Sequence, residues 1–323
     1  MNRRTFISSA AGISSAAGLA TLAACKREAR FARVDAALAP LIPSSALALA
    51  GFRLDKLRDT PFYRRYVEGK QIPMIEEIQA QTGLDPRKDI WEIVLAYRGQ
   101  EKAPLAFIRG KFGGEFGREP NFDRTKFRTL NHKGYYILTP GEGAGVLFMN
   151  TGAAVAGRIE DLMQVIDVRD DSKEHPPQGL LELVKTLPGS AHFWMAAEQG
   201  AALLPAMPSE GNFANLGRMA QATREVTMYA ELKDGMRARL KAVYADPRSA
   251  KMAHDFVKGM IGLARLRTPD GEADLLKLFD GVRPLLKETT LEIEVVQPFE
   301  LMDRVISLAP GLRRPDSSTP RPR

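Results

Sequence analysis

The sequence of 323 residues contains a single cysteine, Cys25, close to the N-terminus. The chain beyond it therefore has no disulfide bond, no thiol nucleophile and no cysteine ligand for a metal, and it is compatible with an oxidising compartment. The composition is otherwise that of a globular protein, with 44% hydrophobic and 26% charged residues. The length is sufficient for one large domain or two ordinary ones.

The sequence also lacks the short motifs that mark common catalytic and cofactor sites. It has no Gly-x-Ser-x-Gly elbow, no His-Glu-x-x-His pair, no Walker loop and no glycine fingerprint of a dinucleotide-binding fold. The histidines are His132, His175, His192 and His254, and no two of them have metal-ligand spacing. We therefore predict no catalytic residue, no cofactor and no metal site.

The net charge of +7 is concentrated at the two ends of the chain. Arg3 and Arg4 contribute +2, residues 26–33 contribute +3 and residues 311–323 contribute +3, which leaves −1 for residues 34–310. The body is nearly neutral, so we predict no binding to nucleic acid. Basic residues beside a lipid anchor each gain about 1 kcal/mol near an anionic leaflet. Residues 26–33 are thus either a membrane-contacting segment or a solvated tether.

The first 25 residues have the order of an export signal. Arg3 and Arg4 precede residues 5–24, which carry no charge, and the run closes on Leu22-Ala23-Ala24-Cys25. A positive end, an apolar stretch and small residues at a cut site are typical of a signal peptide. The alternative is a retained transmembrane helix, but a span needs about 20 strongly apolar residues, and this stretch is mostly Ala, Ser, Gly and Thr.

Two family resemblances rest on these residues. Residues 3–7 resemble a twin-arginine export signal, and residues 22–25 resemble the lipobox of bacterial lipoproteins. The second resemblance implies that Cys25 is acylated and becomes the first residue of the mature chain. Together they imply a protein on the periplasmic face of the cell envelope, whose partners are membrane lipid and an envelope protein. Lys26, rather than an aspartate, slightly favours the outer membrane.

Periodicity beyond the leader predicts an α+β fold of antiparallel sheets with packed helices. We place an N-terminal half at residues 34–175, a C-terminal half at residues 176–310 and a disordered tail at residues 311–323. The clearest element is a hairpin in which two alternating runs flank the turn Asp234-Gly235.

The two halves contain similar segments. Residues 41–46 resemble residues 186–191, and each segment follows a helical stripe and precedes an apolar strand. Strand pairs that begin with glutamate then follow at residues 92–112 and 225–245. Either an internal duplication or a chance match of a short string accounts for this similarity.

The C-terminal half also yields detailed predictions. Asp246-Pro247 opens a helix, and Thr268-Pro269 opens another. The apolar stripe of the first helix comprises Met252, Phe256, Met260 and Leu263. The inward residues of the second are Leu275, Phe279, Val282 and Leu286. A basic row is formed by Arg237, Arg239 and Lys241, opposite Glu292 and Glu294 of a last strand. This row is either an anion site or, as we predict, a ladder of cross-strand charge pairs.

Aromatic and basic residues alternate after residue 111, and aromatics interleaved with cations can form a binding surface. The candidate contact surface comprises Phe112, Phe116, Arg118, Phe122, Arg124 and Phe127. The alternative is that the phenylalanines anchor a long loop to the core.

The function predicted from these features is that of a non-catalytic, lipid-anchored binding module. The alternatives are an envelope hydrolase that uses carboxylates and a solute-binding lipoprotein with a cleft between its halves. A deep pocket with two carboxylates of raised pKa would favour an enzyme, and a flat apolar patch would favour a binding module.

Overall fold

A computed structural model of the chain describes residues 31–82, 84–100, 102–112, 125–141, 143–170, 175–200, 213–269 and 273–308. The predicted leader with Arg3, Arg4 and Cys25, residues 26–30 of the tether and the predicted tail lie outside the described residues. Within the described ranges, no helix is long and apolar enough to cross a membrane.

The first half alternates strands with short helices after a 3-10 turn at Ala39–Leu41. Its strands are β1 (Ala48–Arg53), β2 (Ile90–Tyr97), β3 (Leu105–Gly110), β4 (Arg128–His132), β5 (Tyr135–Thr139), β6 (Ala144–Asn150) and β7 (Ala153–Arg158). Its helices are α1 (Leu54–Leu57), α2 (Pro61–Tyr66), α3 (Pro73–Thr82), α4 (Pro86–Asp89) and α5 (Ile159–Asp170).

The second half has fewer strands and longer helices. Its strands are β8 (Phe193–Glu198), β9 (Thr223–Leu232), β10 (Gly235–Tyr244), β11 (Val282–Lys287) and β12 (Thr290–Pro298). Its helices are α6 (Gln178–Lys185), α7 (Phe213–Ala222), α8 (Pro247–Leu266), α9 (Ala273–Asp280) and α10 (Phe299–Leu308).

The strands of the described residues form one sheet, in the order β11-β12-β10-β9-β8-β1-β2-β3-β7-β6-β5-β4, and neighbours are antiparallel. The halves meet where β1 pairs with β8, from Ala48 opposite Ala197 to Phe52 opposite Phe193. An α+β fold built on antiparallel sheet is therefore confirmed. The continuous pairing differs from the two lobes that a solute-binding cleft between the halves would require.

The predicted hairpin of β9 and β10 is confirmed. Leu232 lies opposite Met236 at the turn, and Gly235 has a φ of 143°, which side chains rarely adopt. On the neighbouring strand β12, Glu294 lies opposite Arg239 and forms an ion pair with it. One cross-strand pair of the predicted ladder is therefore confirmed, and Lys241 lies opposite Glu292 in the same register.

The main core lies on one face of the sheet, which we call the front face. Because side chains alternate between the faces of a strand, the register places Val94, Phe107 and Trp194 together on this face, where they pack with α5 and α6. Beyond β9 the front face changes character, and it carries Arg239 and Glu294. The front face is thus a core across the first half and β8, and a charged surface at β10 and β12.

The second core lies on the opposite, back face. There β10 and β12 turn Leu240, Ala242 and Leu291 toward α8, which packs through Ala250 and Ala253. The hydrophobic core therefore changes from the front face to the back face of a single sheet between β8 and β10.

One helix prediction for the second half is wrong. The helix predicted over residues 268–286 ends at Asp280, and β11 begins at Val282, opposite Val295 of β12. Pro284 has no N–H for a helix interior, but an edge strand such as β11 tolerates it.

The helix predicted to open at Asp246-Pro247 is confirmed by α8, whose N-cap is Asp246. Of its apolar stripe, Met252 packs on the second core, whereas Phe256 is 42% exposed and Met260 is 51% exposed.

Candidate functional site

The structure describes only two residues of the predicted contact surface. Phe112 is buried, and its ring meets the ring of Phe148 edge-on at a centroid distance of 5.6 Å. It is therefore an interior packing residue and not part of an exposed surface. Phe127 is half-buried. The remaining residues, Phe116, Arg118, Phe122 and Arg124, lie outside the described residues, and a contact surface there stays a prediction.

A different group of residues forms a pocket at the end of the sheet where β1 ends and β2 begins. The pocket has a volume of about 430 Å³. It is lined by Asp35, Arg53, Asp55, Arg58, Asp59, Trp91, Glu92 and Arg109. Seven of these eight residues are ionisable, three of them arginines and four of them aspartate or glutamate.

Strand register brings the central residues together. Glu92 of β2 lies opposite Arg53 of β1 on one side and opposite Arg109 of β3 on the other. Directly opposite residues have Cβ atoms about 4.5–5.5 Å apart, so a carboxyl lies between two guanidinium groups on the front face. The pairing of β2 with β3 is irregular between Ile90 and Glu92, which leaves Trp91 outside the regular register.

The Glu92 carboxyl is almost fully enclosed, because the residue is 3% exposed. Its Oε1 atom has no hydrogen-bond partner among the residues that the structure describes. Burial raises the pKa of Glu92 to about 7, although the charge of Arg53 and the backbone N–H of Asp35 favour the ionised form. Glu92 therefore gains or loses its proton near neutral pH.

The two aspartates beside Glu92 are held by arginines. Arg53 contacts Asp55 with two hydrogen bonds, Nε to Oδ1 at 3.1 Å and Nη2 to Oδ2 at 2.8 Å. Burial alone would raise the pKa of Asp55, but Arg53 outweighs it and the pKa lies below its ordinary value. The Nε atom of Arg109 lies 3.4 Å from Oδ2 of Asp35, which is an ion-pair distance.

Arg109 and Arg58 are both fixed by backbone carbonyls. Arg109 donates to the carbonyl of Gly152, and its guanidinium lies 5.5 Å from the centre of the Trp91 ring. Arg58 follows α1 and donates to the carbonyl of Ile90, which joins this helix to the start of β2. The Nε atom of Arg58 is buried and has no hydrogen-bond partner in the described part of the chain.

This arrangement can hold a polar ligand or move a proton. Glu92 offers a buried acceptor without a partner and Arg58 a buried donor without one, and both residues line the pocket. In the described ranges, no group of three or more histidine or carboxylate side chains could hold a metal ion. Sequence reasoning missed this site, although the strand alternation gave a signal. Glu92 shares its face with Val94 and Ala96, which are fully buried.

Comparisons with known proteins identify no family. No protein-family model matches the chain, and no curated protein matches it. Three crystal forms of a protein designated TP0453 resemble the structure. Form III gives a TM-score of 0.44 at 12% identity and covers 84% of this chain and 98% of that one. Form I gives 0.42 at 13% identity with 85% and 99% covered, and form IV gives 0.41 at 12% with 83% and 96% covered.

Proposed function

We propose that the chain is a membrane-anchored lipoprotein of the cell envelope that acts as a non-catalytic binding module, with its ligand in the Glu92 pocket. The observation that carries the binding role is the buried carboxyl of Glu92. Its Oε1 atom has no partner among the described residues, and Glu92 lines a pocket of about 430 Å³. A buried acceptor without a partner is costly, at about 1–3 kcal/mol or more for a charged group. A ligand that donates to it would remove that cost.

The leader supports the proposed location. Residues 3–7 resemble a twin-arginine signal, and residues 22–25 resemble a lipobox that ends at Cys25. The mature chain would then be held on the periplasmic face by its acylated cysteine, with the outer membrane slightly favoured by Lys26. Membrane lipid is the first proposed partner, and an envelope protein is the second.

The two halves are proposed to derive from one duplicated unit. Counted outward from the central pair, the strand order is β1-β2-β3-β7-β6 in one half and β8-β9-β10-β12-β11 in the other. In both orders the last two strands are reversed relative to the sequence. The hairpin of β4 and β5 would be an addition to the first half.

Acylation is tested by mass spectrometry of the protein recovered from the membranes of a bacterial host that exports it. We expect the N-terminal peptide to start at Cys25 with a diacylglycerol mass attached, and we expect Cys25→Ser to leave the chain unprocessed. The matched control is Ser9→Ala, which changes a leader residue outside the lipobox and should leave processing intact. Recovery of the wild-type chain with residues 1–24 still attached would contradict the proposal.

A second candidate function is a hydrolase that uses carboxylates. This function is supported by the different pKa values of two acids in the site. The pKa of Glu92 is raised to about 7, and that of Asp55 is lowered. Such a pair can supply a proton donor and an ionised carboxylate. If the chain is an enzyme, Glu92→Gln should abolish turnover of envelope glycans. The exposed control Glu160→Gln should not change it.

A further inference from the structure

The N-terminal segment joins the fold at the same end of the sheet as the pocket. Phe31 forms an isolated bridge with Pro188, and the N–H of Ala32 donates to the carbonyl of Leu187 at 2.9 Å. Leu187 and Pro188 come shortly before β8, whose first residue, Phe193, lies opposite Phe52 near the end of β1. Asp35, four positions after Phe31, lines the pocket itself.

The length of the intervening chain limits the distance between the pocket and a lipid anchor. Phe31 follows Cys25 by six positions, and an extended chain spans about 3.3–3.6 Å per residue. An acylated Cys25 would therefore lie at most about 20 Å from Phe31. The end of the sheet that carries the pocket is thereby kept close to the lipid headgroups, and the opposite end is not.

The pocket presents groups of both charges to this region. Oε1 of Glu92 is an unused acceptor, and Nε of Arg58 is an unused donor, in both cases among the described residues. Arg109 adds a second guanidinium, which lies beside the Trp91 ring. A ligand that carried only one charge would leave either the carboxyl or the guanidinium groups without a partner. A compact zwitterion satisfies both.

We propose that the pocket binds a group that joins a primary ammonium to a phosphate, the headgroup chemistry of phosphatidylethanolamine, drawn from the membrane that anchors the chain. The ammonium donates to Glu92, the phosphate accepts from Arg58 and Arg109, and the ring of Trp91 borders the two methylene groups between them. This inference rests on the proposed function, because the proximity of the membrane depends on acylation of Cys25.

The same contacts disfavour two other common headgroups. A quaternary ammonium, as in phosphatidylcholine, has no N–H to donate to Glu92. The glycerol headgroup of phosphatidylglycerol has a phosphate but no cation. Hydrogen bonds to charged groups are the strong class, so we expect the ethanolamine headgroup to bind about tenfold more tightly than either of these.

The experiment uses the mature chain, residues 25–323 with Cys25→Ser, so that neither the leader nor an attached lipid holds the protein to a vesicle. Binding is measured by co-sedimentation with two kinds of vesicle. Both contain the same fraction of phosphatidylglycerol, and the remainder is either phosphatidylethanolamine or phosphatidylcholine. A second arm titrates the soluble headgroups glycerophosphoethanolamine and glycerophosphocholine by calorimetry in two buffers of different ionisation heat. Glu92→Gln tests the acceptor, and Glu160→Gln is the matched exposed control.

The expected result is a preference of about tenfold for ethanolamine vesicles, lost in Glu92→Gln and kept in Glu160→Gln. Near neutral pH an ammonium also favours the ionised form of Glu92, so binding should release a proton and its heat should depend on the buffer. Equal binding to both headgroups by the wild-type chain would overturn the proposal. This comparison uses no pocket variant, so it does not depend on whether such a variant folds. Binding of the soluble headgroup without any vesicle preference would keep the chemistry and overturn the membrane as its source.

Failure of this inference is distinguishable from failure of the proposed function. The vesicle arms are carried out without acylation, and acylation of Cys25 is measured separately on the membrane-extracted protein. A chain that is acylated but does not discriminate the headgroups remains a lipoprotein with a different ligand.

Discussion

The two halves of the sheet bury their hydrophobic residues differently. The core of the first half, to which β8 also contributes, contains large, fully buried side chains such as Trp194, Phe107 and Leu162. In the second half the buried residues under α8 include Ala242, Ala250 and Ala253, and large apolar residues of that helix are left at the surface. Large side chains fill the first core, whereas small residues in the second core allow a helix to pack close to the sheet.

This difference teaches that an apolar stripe does not by itself show which face of a helix is buried. On α8, the alanines at positions 250 and 253 define the packed face, and the larger Phe256, Met260 and Leu263 lie beside it. Small residues permit close approach, and dense packing follows from complementary shape as much as from side-chain size. Stability should therefore depend more on the first core than on the second.

The largest expected effect is on the first core. Phe107→Ala removes a fully buried ring, and we expect the free energy of unfolding to fall by about 3–5 kcal/mol. The matched change Phe256→Ala on α8 removes a ring that is 42% exposed, and we expect a loss below about 1 kcal/mol. Urea denaturation followed by circular dichroism measures both. Equal losses would show that α8 contributes as much core as the first half.

The next effect concerns one ion pair from each half. Asp161 and Arg98 form a largely buried pair, Oδ2 to Nη2 at 2.7 Å, whereas Arg239 and Glu294 form a more exposed one. We expect Asp161→Asn to cost about 3 kcal/mol, because it leaves Arg98 buried without its partner. Glu294→Gln should cost less than about 1 kcal/mol. Urea midpoints at pH 7 measure both costs.

The same pair predicts an acid dependence. The hydrogen bond and charge of Arg98 hold the pKa of Asp161 below its ordinary value. Its contribution to stability is therefore present above the unfolded pKa and lost as the pH falls through the folded one. Asp161→Asn should remove this part of the acid sensitivity. If the variant kept the acid profile of the wild type, the assignment to this pair would be wrong.

A pH dependence of opposite sign is expected from Glu92. Its folded pKa of about 7 lies above the ordinary value of 4.5, so the folded chain holds a proton that the unfolded chain releases. Stability from this group is present below pH 4.5 and is lost as the pH rises to about 7, by up to about 1.4 kcal/mol per pH unit. Glu92→Gln should flatten this slope, and Glu294→Gln should not. Urea midpoints from pH 4 to pH 8 would measure it.

The smallest expected effect is a gain in stability on α8. Gly259 is exposed, and a Cβ added there would meet no atom within 4 Å. Gly259→Ala should stabilise the protein by about 0.5–1 kcal/mol, because alanine is the better helix former. The contrasting change is Gly51→Ala in the first half, where a Cβ would lie 2.0 Å from the Trp194 ring and should destabilise. Thermal midpoints of the two variants should move in opposite directions.

Local sequence patterns were sufficient for much of the fold. The alternation around Asp234-Gly235 predicted the hairpin, because a two-faced strand and its turn are specified by adjacent residues. The opposed charges of Arg239 and Glu294 likewise predicted a cross-strand pair. The end of α9 was missed, because apolar spacing over residues 275–286 fits a helix until Pro284 and the pairing of β11 with β12 are considered.

The change of face and the pocket could not be predicted in the same way. Which face of a strand is buried depends on the helices packed against it, and α6 and α8 pack on opposite faces of the same sheet. The pocket joins Asp35, Arg53, Glu92 and Arg109 through the pairing of three strands and a preceding segment. Only the acid at position 92, on the buried side of an otherwise apolar strand, was visible in the sequence.

The edges of the sheet, as the described residues form it, have a consequence for molecules at high local concentration. The strands at the two ends are β4 and β11. Pro284 of β11 has no N–H for an incoming strand, and Arg283 and Lys287 on the same strand, with Arg128 on β4, give both ends positive charge. Proline and charge at an edge oppose the addition of further strands. We therefore expect neighbouring molecules to repel one another at these margins and to remain separate, without growing into fibrillar ribbons.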